Sequence, residues 1–276
     1  MARERIVSGE SQAEEPVRTT DAAVPTPVVR PRSIAEYVGQ AALIERLTIA
    51  IEAVKQRKEA MEHVLLHGPP GLGKTTLAHV IANEMGTTAW VTSGPALNKA
   101  ADLVGTLTKL GEGDVLFIDE IHRLPPAVEE HIYPAMEDFK VDFTVDSGMH
   151  AKVITLTLKP FTLIGATTRA GMLTQPLRAR FGITHHLEYY PVADLIEILH
   201  RAVGRMGIES VDASGFDAIA TRSRGTPRVA LRLLRRVRDF AQVRGTGRID
   251  AAAVTSALEL EGVDELGLDE IDRKYL

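Results

Sequence analysis

The segment Gly68-Pro69-Pro70-Gly71-Leu72-Gly73-Lys74-Thr75 narrows what this chain can fold into more than any other. It fits the spacing G-x-x-x-x-G-K-[ST]. It follows the short apolar run EHVLLH and opens the helix-like run KTTLAHVIANEM, which ends at Gly86. Strand, glycine turn and helix in that order point backbone N–H groups and the positive end of a helix dipole at one spot. Glycine backbones can wrap a phosphate where a Cβ would collide with it. Gly68, Gly71, Leu72 and Gly73 are therefore candidate cradle positions, with Thr76 in the helical turn that follows. Lys74 can reach the β- and γ-phosphates, and the Thr75 hydroxyl can ligate Mg²⁺.

Short apolar segments recur at 89–93 (AWVTS), 115–119 (VLFID) and 161–168 (FTLIGATT), with helix-like stretches between them. Such alternation predicts an α/β fold, a parallel sheet covered on both faces by helices. Ahead of the loop, Leu43, Leu47, Ile51 and Val54 recur at helical spacing. The stretch 140–158 departs from this rhythm. It alternates with period two on both sides of Asp146-Ser147-Gly148, which predicts an inserted β-hairpin. Beyond Tyr190-Pro191 the strand signal stops and helix-like segments follow. A large domain is therefore expected over 29–190 and a small all-helical one over 191–262. Residues 1–28 have no sustained period and are expected to form a disordered arm.

Asp119 and Glu120 end the strand at 115–119, about 45 residues after the phosphate loop. A carboxylate at a strand tip beside such a loop can hold Mg²⁺ or its water shell. A second carboxylate one residue on can orient or deprotonate an attacking water. Thr167 and Thr168 end the strand at 161–168, where a hydroxyl can touch a γ-phosphate, although threonine is also an ordinary strand residue. Arg178 and Arg180 in TQPLRARFG are either surface arginines or stabilisers of charge on a phosphoryl group, in the same chain or from a neighbour. Arg228 starts the most basic helix, in which Val229, Leu233, Val237 and Phe240 form one apolar stripe. Arg232, Arg235, Arg236 and Arg238 project elsewhere, as a solvated face would, whereas Arg228 is placed to reach a nucleotide held between two domains.

The nine histidines show no metal-ligand spacing, and His185 and His186 are adjacent and point apart in a strand, so no transition-metal site is expected. The net charge of −5 carries no global basic signature; any nucleic-acid contact must be local or arise from assembly. With no cysteine in the chain, disulfides, thiolate zinc sites, iron–sulfur clusters and a cysteine nucleophile are excluded, which fits a reducing compartment. No apolar run approaches the roughly 18 residues of a membrane helix, and the first residues have no apolar core of a signal peptide.

Four stretches carry a resemblance: GPPGLGKTTLAHVIANEMG, LFIDEIHRLPPAVEEHIYPAMEDF, FTLIGATTRAGMLTQPLRARFGI and SRGTPRVALRLLRRVRDFAQV. Together they resemble the AAA+ ATPases, and within them the RuvB family of Holliday-junction branch-migration motors, over about residues 28–276. The resemblance implies an AAA+ P-loop fold with a helical lid, ATP and Mg²⁺ at the site, and assembly into a hexameric ring on Holliday-junction DNA in the cytoplasm, away from any membrane. It implies that Lys74, Thr75 and Asp119 are the Walker residues, Thr75 and Asp119 those nearest the metal, and Glu120 the catalytic base. Thr168 would be the first sensor, Arg228 the second, and Arg180 an arginine finger for the ATP of the adjacent subunit. Val29, Arg30, Tyr190 and Glu137-Asp138-Phe139 would frame the nucleotide. The hairpin at 140–158, with Met149 at its tip, would dock a RuvA-like junction-binding protein, and a RuvC-like resolvase would act indirectly. Residues 263–276 look like the first segment of a DNA-gripping winged-helix head whose remainder is absent, so weak, salt-dependent DNA binding is expected. Two other readings stay open: a clamp-loader-like or protein-remodelling AAA+ ATPase, and a nucleotide-binding switch that does not hydrolyse.

Overall fold

The computed structural model describes residues 17–18, 30–145, 152–245 and 247–275. At its centre is a six-stranded sheet in the order β1-β3-β4-β7-β2-β8. Its members are β1 (Val17–Arg18), β2 (Val64–His67), β3 (Ala89–Ser93), β4 (Val115–Asp119), β7 (Thr162–Thr167) and β8 (Ile183–His186). All neighbours pair in parallel except β1, which runs antiparallel to β3. The apolar runs explain the arrangement. β7 is buried at every position and β2 and β4 at all but the last, as strands covered on both faces must be.

Two apolar cores lie on the two faces. One joins α1 (Ala41–Arg57) and α2 (Lys74–Met85) to the helical end of the chain through Leu43, Leu47, Leu77, Leu195 and Leu234. The other joins α3 (Ala100–Leu107), α4 (Pro126–Glu137) and α5 (Gln175–Ala179) through Leu103, Val128, Ile132 and Leu177. The expected hairpin is present as β5 (Lys140–Val145) and β6 (Lys152–Thr157), paired from Lys140↔Thr157 to Val145↔Lys152. Met149 and the rest of the turn, 146–151, lie outside the described residues.

The helical end consists of α6 (Val192–Met206), α7 (Ala213–Arg222), α8 (Pro227–Arg244), α9 (Ala251–Leu260) and the short α10 (Glu270–Tyr275). One pair of two-residue strands, β9 (Ser210–Val211) and β10 (Arg248–Ile249), interrupts a stretch expected to be wholly helical. Alternation over two residues is too short to read, and Ile249 is buried there by packing rather than by pattern. Of the arm expected over 1–28, the structure describes Val17–Arg18. Their backbones complete the edge of β3, pairing with Val91 and Trp90, because an open strand edge offers unpaired N–H and C=O groups to any extended segment. The remainder of that arm, and Val29 after it, lie outside the described residues.

Candidate nucleotide site

β2 delivers the chain into the glycine loop at its carboxyl end, where the Gly68 N–H donates to the Thr167 carbonyl at 3.1 Å. Gly68, Gly71 and Gly73 all have positive φ, at 137°, 82° and 97°. Such angles are costly for residues with a Cβ, and there is also no space for one. A Cβ on Gly71 would sit 2.9 Å from Thr226 Cγ2 and 3.0 Å from Arg228 Cβ. A Cβ on Gly68 would meet the Leu187 carbonyl oxygen at 2.6 Å. The loop is therefore confined by the Leu187 backbone after β8 on one side and by the start of α8 on the other. Gly71→Ala is expected to push α8 off the loop and weaken nucleotide binding about tenfold, with a backbone strain of roughly 1–2 kcal/mol; titration with a fluorescent ADP checks it.

Lys74 occupies the first position of α2 and is buried. Its ammonium donates to the Gly68 and Pro69 carbonyls at 2.9 and 2.8 Å. Burial holds its pKa below the usual lysine range; Asp119 pulls it up and Arg228 pushes it down. Arg228, the second residue of α8, donates its backbone N–H to the Gly71 carbonyl at 3.3 Å. Arg30 joins the same group: its pKa is lowered by burial and then by the Arg228 charge. Lys74 and Arg30 thus each feel the Arg228 charge, and the one acid among the predicted residues felt by Lys74 is Asp119. Like charges held together repel, so the crevice gains most from a ligand carrying several negative charges.

Tyr190 ties the parts together. Its hydroxyl is 3.0 Å from that of Tyr37 and donates to the Leu72 carbonyl at 3.4 Å, and its N–H donates to the Gly225 carbonyl at 2.8 Å. Burial raises the pKa of both tyrosines, so both stay neutral hydroxyl donors. Beside them a cleft with an apolar wall of Tyr37, Val38, Ile198 and Leu231 opens next to Gly73 and Thr76. Arg205 of α6 closes its rim, donating to the Arg30 carbonyl at 2.7 Å and to Glu36 at 2.8 Å. An aromatic and aliphatic slot beside a phosphate cradle suits a flat base.

Asp119 and Glu120 stand at the carboxyl end of β4, and β7 lies between β4 and β2. Glu120 takes a left-handed backbone, φ 47°, and its carboxylate accepts from Arg123 at 2.8 Å. That bond, more than any other cause, holds its pKa below the ordinary carboxylate range. Thr167 and Thr168 separate sharply. Thr167 is buried, its hydroxyl shared with His122 at 2.8 Å and with the Arg169 N–H at 2.9 Å. Thr168 is exposed past the strand, and among the described residues its hydroxyl makes no hydrogen bond, so it is the one free to face a ligand. Tyr37, His122, Arg123 and Arg205 were not singled out by sequence; the IHR triplet directly after Asp119-Glu120 was the available signal for two of them.

Four predicted residues do not join this crevice. Arg180 stands two residues before Gly182 and three before β8, whose first residue donates to the His63 carbonyl at the amino end of β2. Its side chain lies on α4, 3.2 Å from Glu137 through Nε and 4.2 Å from the Tyr133 ring centre to Cζ. Glu137, Asp138 and Phe139 lie at that same end. The Met136 carbonyl is 3.0 Å from His63 Nε2, and Phe139 packs on Phe161 at the start of β7. The phosphate loop leaves the opposite end of β2, whose four residues span about 13 Å. Sequence separation cannot reveal this division, because it depends on which end of the sheet each connection crosses.

A loop of backbone donors at the carboxyl end of a parallel strand, hard-oxygen acids on the strand tip beyond its neighbour, and a helical lid bonded to the loop are the parts of a P-loop nucleoside triphosphatase of the AAA+ class. The chain belongs to the RuvB family. The family model for the Holliday junction DNA helicase RuvB P-loop domain matches residues 29–187, and that for the RuvB AAA lid domain matches 190–264. The Holliday junction branch migration complex subunit RuvB of Parabacteroides distasonis is 55% identical over 90% of this chain and 73% of its own length. That of Myxococcus xanthus is 56% identical over 90% of this chain and 72% of its own length. Among solved structures, the Thermotoga maritima RuvB branch migration motor is similar with a TM-score of 0.80 at 50% identity, over 89% of this chain and 77% of that one.

Proposed function

We propose that this chain is the ATP-driven motor subunit that moves the branch point of Holliday junctions during recombination and DNA repair, working as a hexameric ring in the cytoplasm. The observation that supports the mechanism is the contact of Arg228 with Gly71, which joins the lid to the phosphate loop. A γ-phosphate between Lys74 and Arg228 draws loop and lid together; its loss lets their charges separate them. Cleavage of the phosphate is thereby linked to an angle between the segment 29–190 and the segment 191–262, with Tyr190-Pro191 as the joint.

Each residue has a part in this reading. Gly68, Gly71, Leu72, Gly73, Lys74, Thr75 and Thr76 bind the phosphates, and Arg30, with Val29 before it, and Tyr190 border the base and ribose. Thr75 and Asp119 are the residues that would hold Mg²⁺. The donor set fits: a hydroxyl and a carboxylate are hard oxygens, and the Asp119 charge reaches Lys74, which neighbours Thr75. That ion supplies charge neutralisation on the phosphate oxygens. Glu120, whose carboxylate accepts from Arg123, is the catalytic base that orients or deprotonates the attacking water. Thr168 senses the γ-phosphate. Arg180, with Glu137, Asp138 and Phe139, stands too far from its own loop and serves the nucleotide of the adjacent subunit.

The exposed Val153 and Ile154 of β6 give the hairpin an apolar surface for a RuvA-like partner, through which a RuvC-like resolvase would meet the motor. Glu120→Gln is expected to lower ATP turnover at least about 100-fold while ADP affinity stays within about twofold. Equal turnover in both proteins, measured at saturating ATP, would mean that hydrolysis is not the task and that the chain is a switch. Movement of a synthetic four-way junction with the RuvA-like partner present then tests the motor reading; ATP-independent movement would remove it.

A further inference from the structure

Beside the Arg180 guanidinium lies a cluster of side chains that the hydrolytic machinery does not use. Glu129 is a buried carboxylate in α4 with no cation among its hydrogen-bond partners. It accepts from the Tyr133 hydroxyl, one helical turn on, and from the Thr174 hydroxyl, which also caps α5 by accepting from the Leu177 N–H at 3.3 Å. The two hydroxyls are themselves 3.3 Å apart. Burying a carboxylate is costly unless its lone pairs are occupied, so this arrangement persists only because two donors converge on it. Its effect is to lock α4 to the start of α5 and to fix the plane of the Tyr133 ring. Arg180 Cζ sits 4.2 Å above the centre of that ring. The Pro176 carbonyl accepts from Nη1 at 2.8 Å, and Glu137 lies 3.2 Å from Nε. Among the described residues, Nη2 has no hydrogen-bond partner. A planar guanidinium stacked on a ring, with Nη1 hydrogen-bonded, Nε paired with Glu137 by charge alone and Nη2 open, is aimed.

We infer that Tyr133 is a positioning residue for Arg180: its ring, held by Glu129 and Thr174, is the platform that presents the open edge of the guanidinium to the nucleotide of the next subunit. The inference rests on the reading of Arg180 as a group acting in trans. It adds the device that keeps a long, flexible arginine pointed before its target arrives. Preorganised donors need no reorganisation during the reaction, which is why the platform should matter for turnover and not for binding.

The test uses the full chain assembled on junction DNA, with kcat and KM for ATP measured beside ADP affinity. Tyr133→Leu removes the platform; kcat should fall about 10- to 100-fold, with KM and ADP affinity within about twofold, as expected for a misaimed group. Tyr133→Phe keeps the ring but loses its hydroxyl tether to Glu129, so its kcat should stay well above that of Tyr133→Leu, within about fivefold of the parent. Placed on top of Arg180→Ala, Tyr133→Leu should cost nothing more, because the group it aims is already gone. A merely structural tyrosine would lower activity in either background and would not be rescued by the ring alone. Tyr133→Met, which keeps length and volume without a ring, is made in parallel in case the leucine variant does not fold; it carries the same expectations. Normal kcat in a ring-less variant, or an undiminished loss in the Arg180→Ala background, overturns the inference and leaves Arg180 untouched. If Arg180→Ala itself hydrolyses normally, the reading beneath it fails instead, and the inference with it.

Discussion

Lys74→Ala should remove measurable ATP turnover and weaken ATP binding by about 100-fold, while the protein without nucleotide unfolds at nearly the same temperature. The two halves of this expectation have different origins. The ammonium in the loop makes charge-assisted contacts in a place from which water is largely excluded; losing such a group costs about 3 kcal/mol, or about 100-fold in affinity. Stability without ligand is another matter. Lys74 is buried beside Arg228, and burial together with that charge lowers its pKa, so the free loop holds an uncomfortable cation. Replacing it ends that repulsion but leaves the Gly68 and Pro69 carbonyls, now bonded at 2.9 and 2.8 Å, without their donor. These opposing changes are each about 1–2 kcal/mol and largely offset one another.

The readout is therefore the ligand-induced shift in melting temperature. A ligand at 100 times its dissociation constant stabilises the folded state by about 2.7 kcal/mol. At roughly 2–4 °C per kcal/mol for a chain of this size, the parent protein should gain about 5–10 °C. The variant at the same nucleotide concentration should gain only about 1–2 °C. A full shift in Lys74→Ala would mean that the nucleotide sits elsewhere, and the site as described would not stand.

What could be read before the structure was the part governed by local spacing. The loop, the strands at 89–93 and 115–119 and the close of α2 at Gly86 all depend on neighbours within a few residues, and they fall where the pattern puts them. The contact of Arg228 with Gly71 joins positions far apart in the chain, so spacing could suggest a reach but not a bond. The Thr167–Thr168 pair shows the same limit on a smaller scale. β7 ends at Thr167, whose hydroxyl is taken by His122, while Thr168 just past the strand is left open. Which of the two is free depends on His122, carried on the turn after β4, reaching the end of β7, and that contact is not written in any one segment. Tyr37 escaped notice for a related reason. Nothing in RSIAEYVGQ marks its hydroxyl until Tyr190 arrives 3.0 Å away.

Arg180→Ala carries the other large effect, and the geometry dictates an unusual form for it. The guanidinium is anchored toward the amino ends of the strands, against Glu137 and Tyr133, whereas the phosphate loop opens at their carboxyl ends. An arginine that stabilises charge on a transferring phosphoryl group is typically worth about 10³-fold or more in turnover. If that arginine serves only the neighbour, the variant should lose about 10³-fold in kcat and keep ADP affinity within about threefold. Folding should change by only about 1–2 kcal/mol, since the variant loses an ion pair with the exposed Glu137, a hydrogen bond to the Pro176 carbonyl and the stack on Tyr133. The decisive step is mixing. Lys74→Ala cannot use its own loop but still offers Arg180; Arg180→Ala has a sound loop but no finger to offer. In a head-to-tail ring assembled at random from equal amounts, about one interface in four pairs a sound loop with a sound finger. Two nearly inactive proteins combined should therefore recover up to about a quarter of the parent turnover per interface. If Arg180 acted within its own subunit, no pairing could restore a complete site, and the mixture would hydrolyse no faster than the sum of its parts.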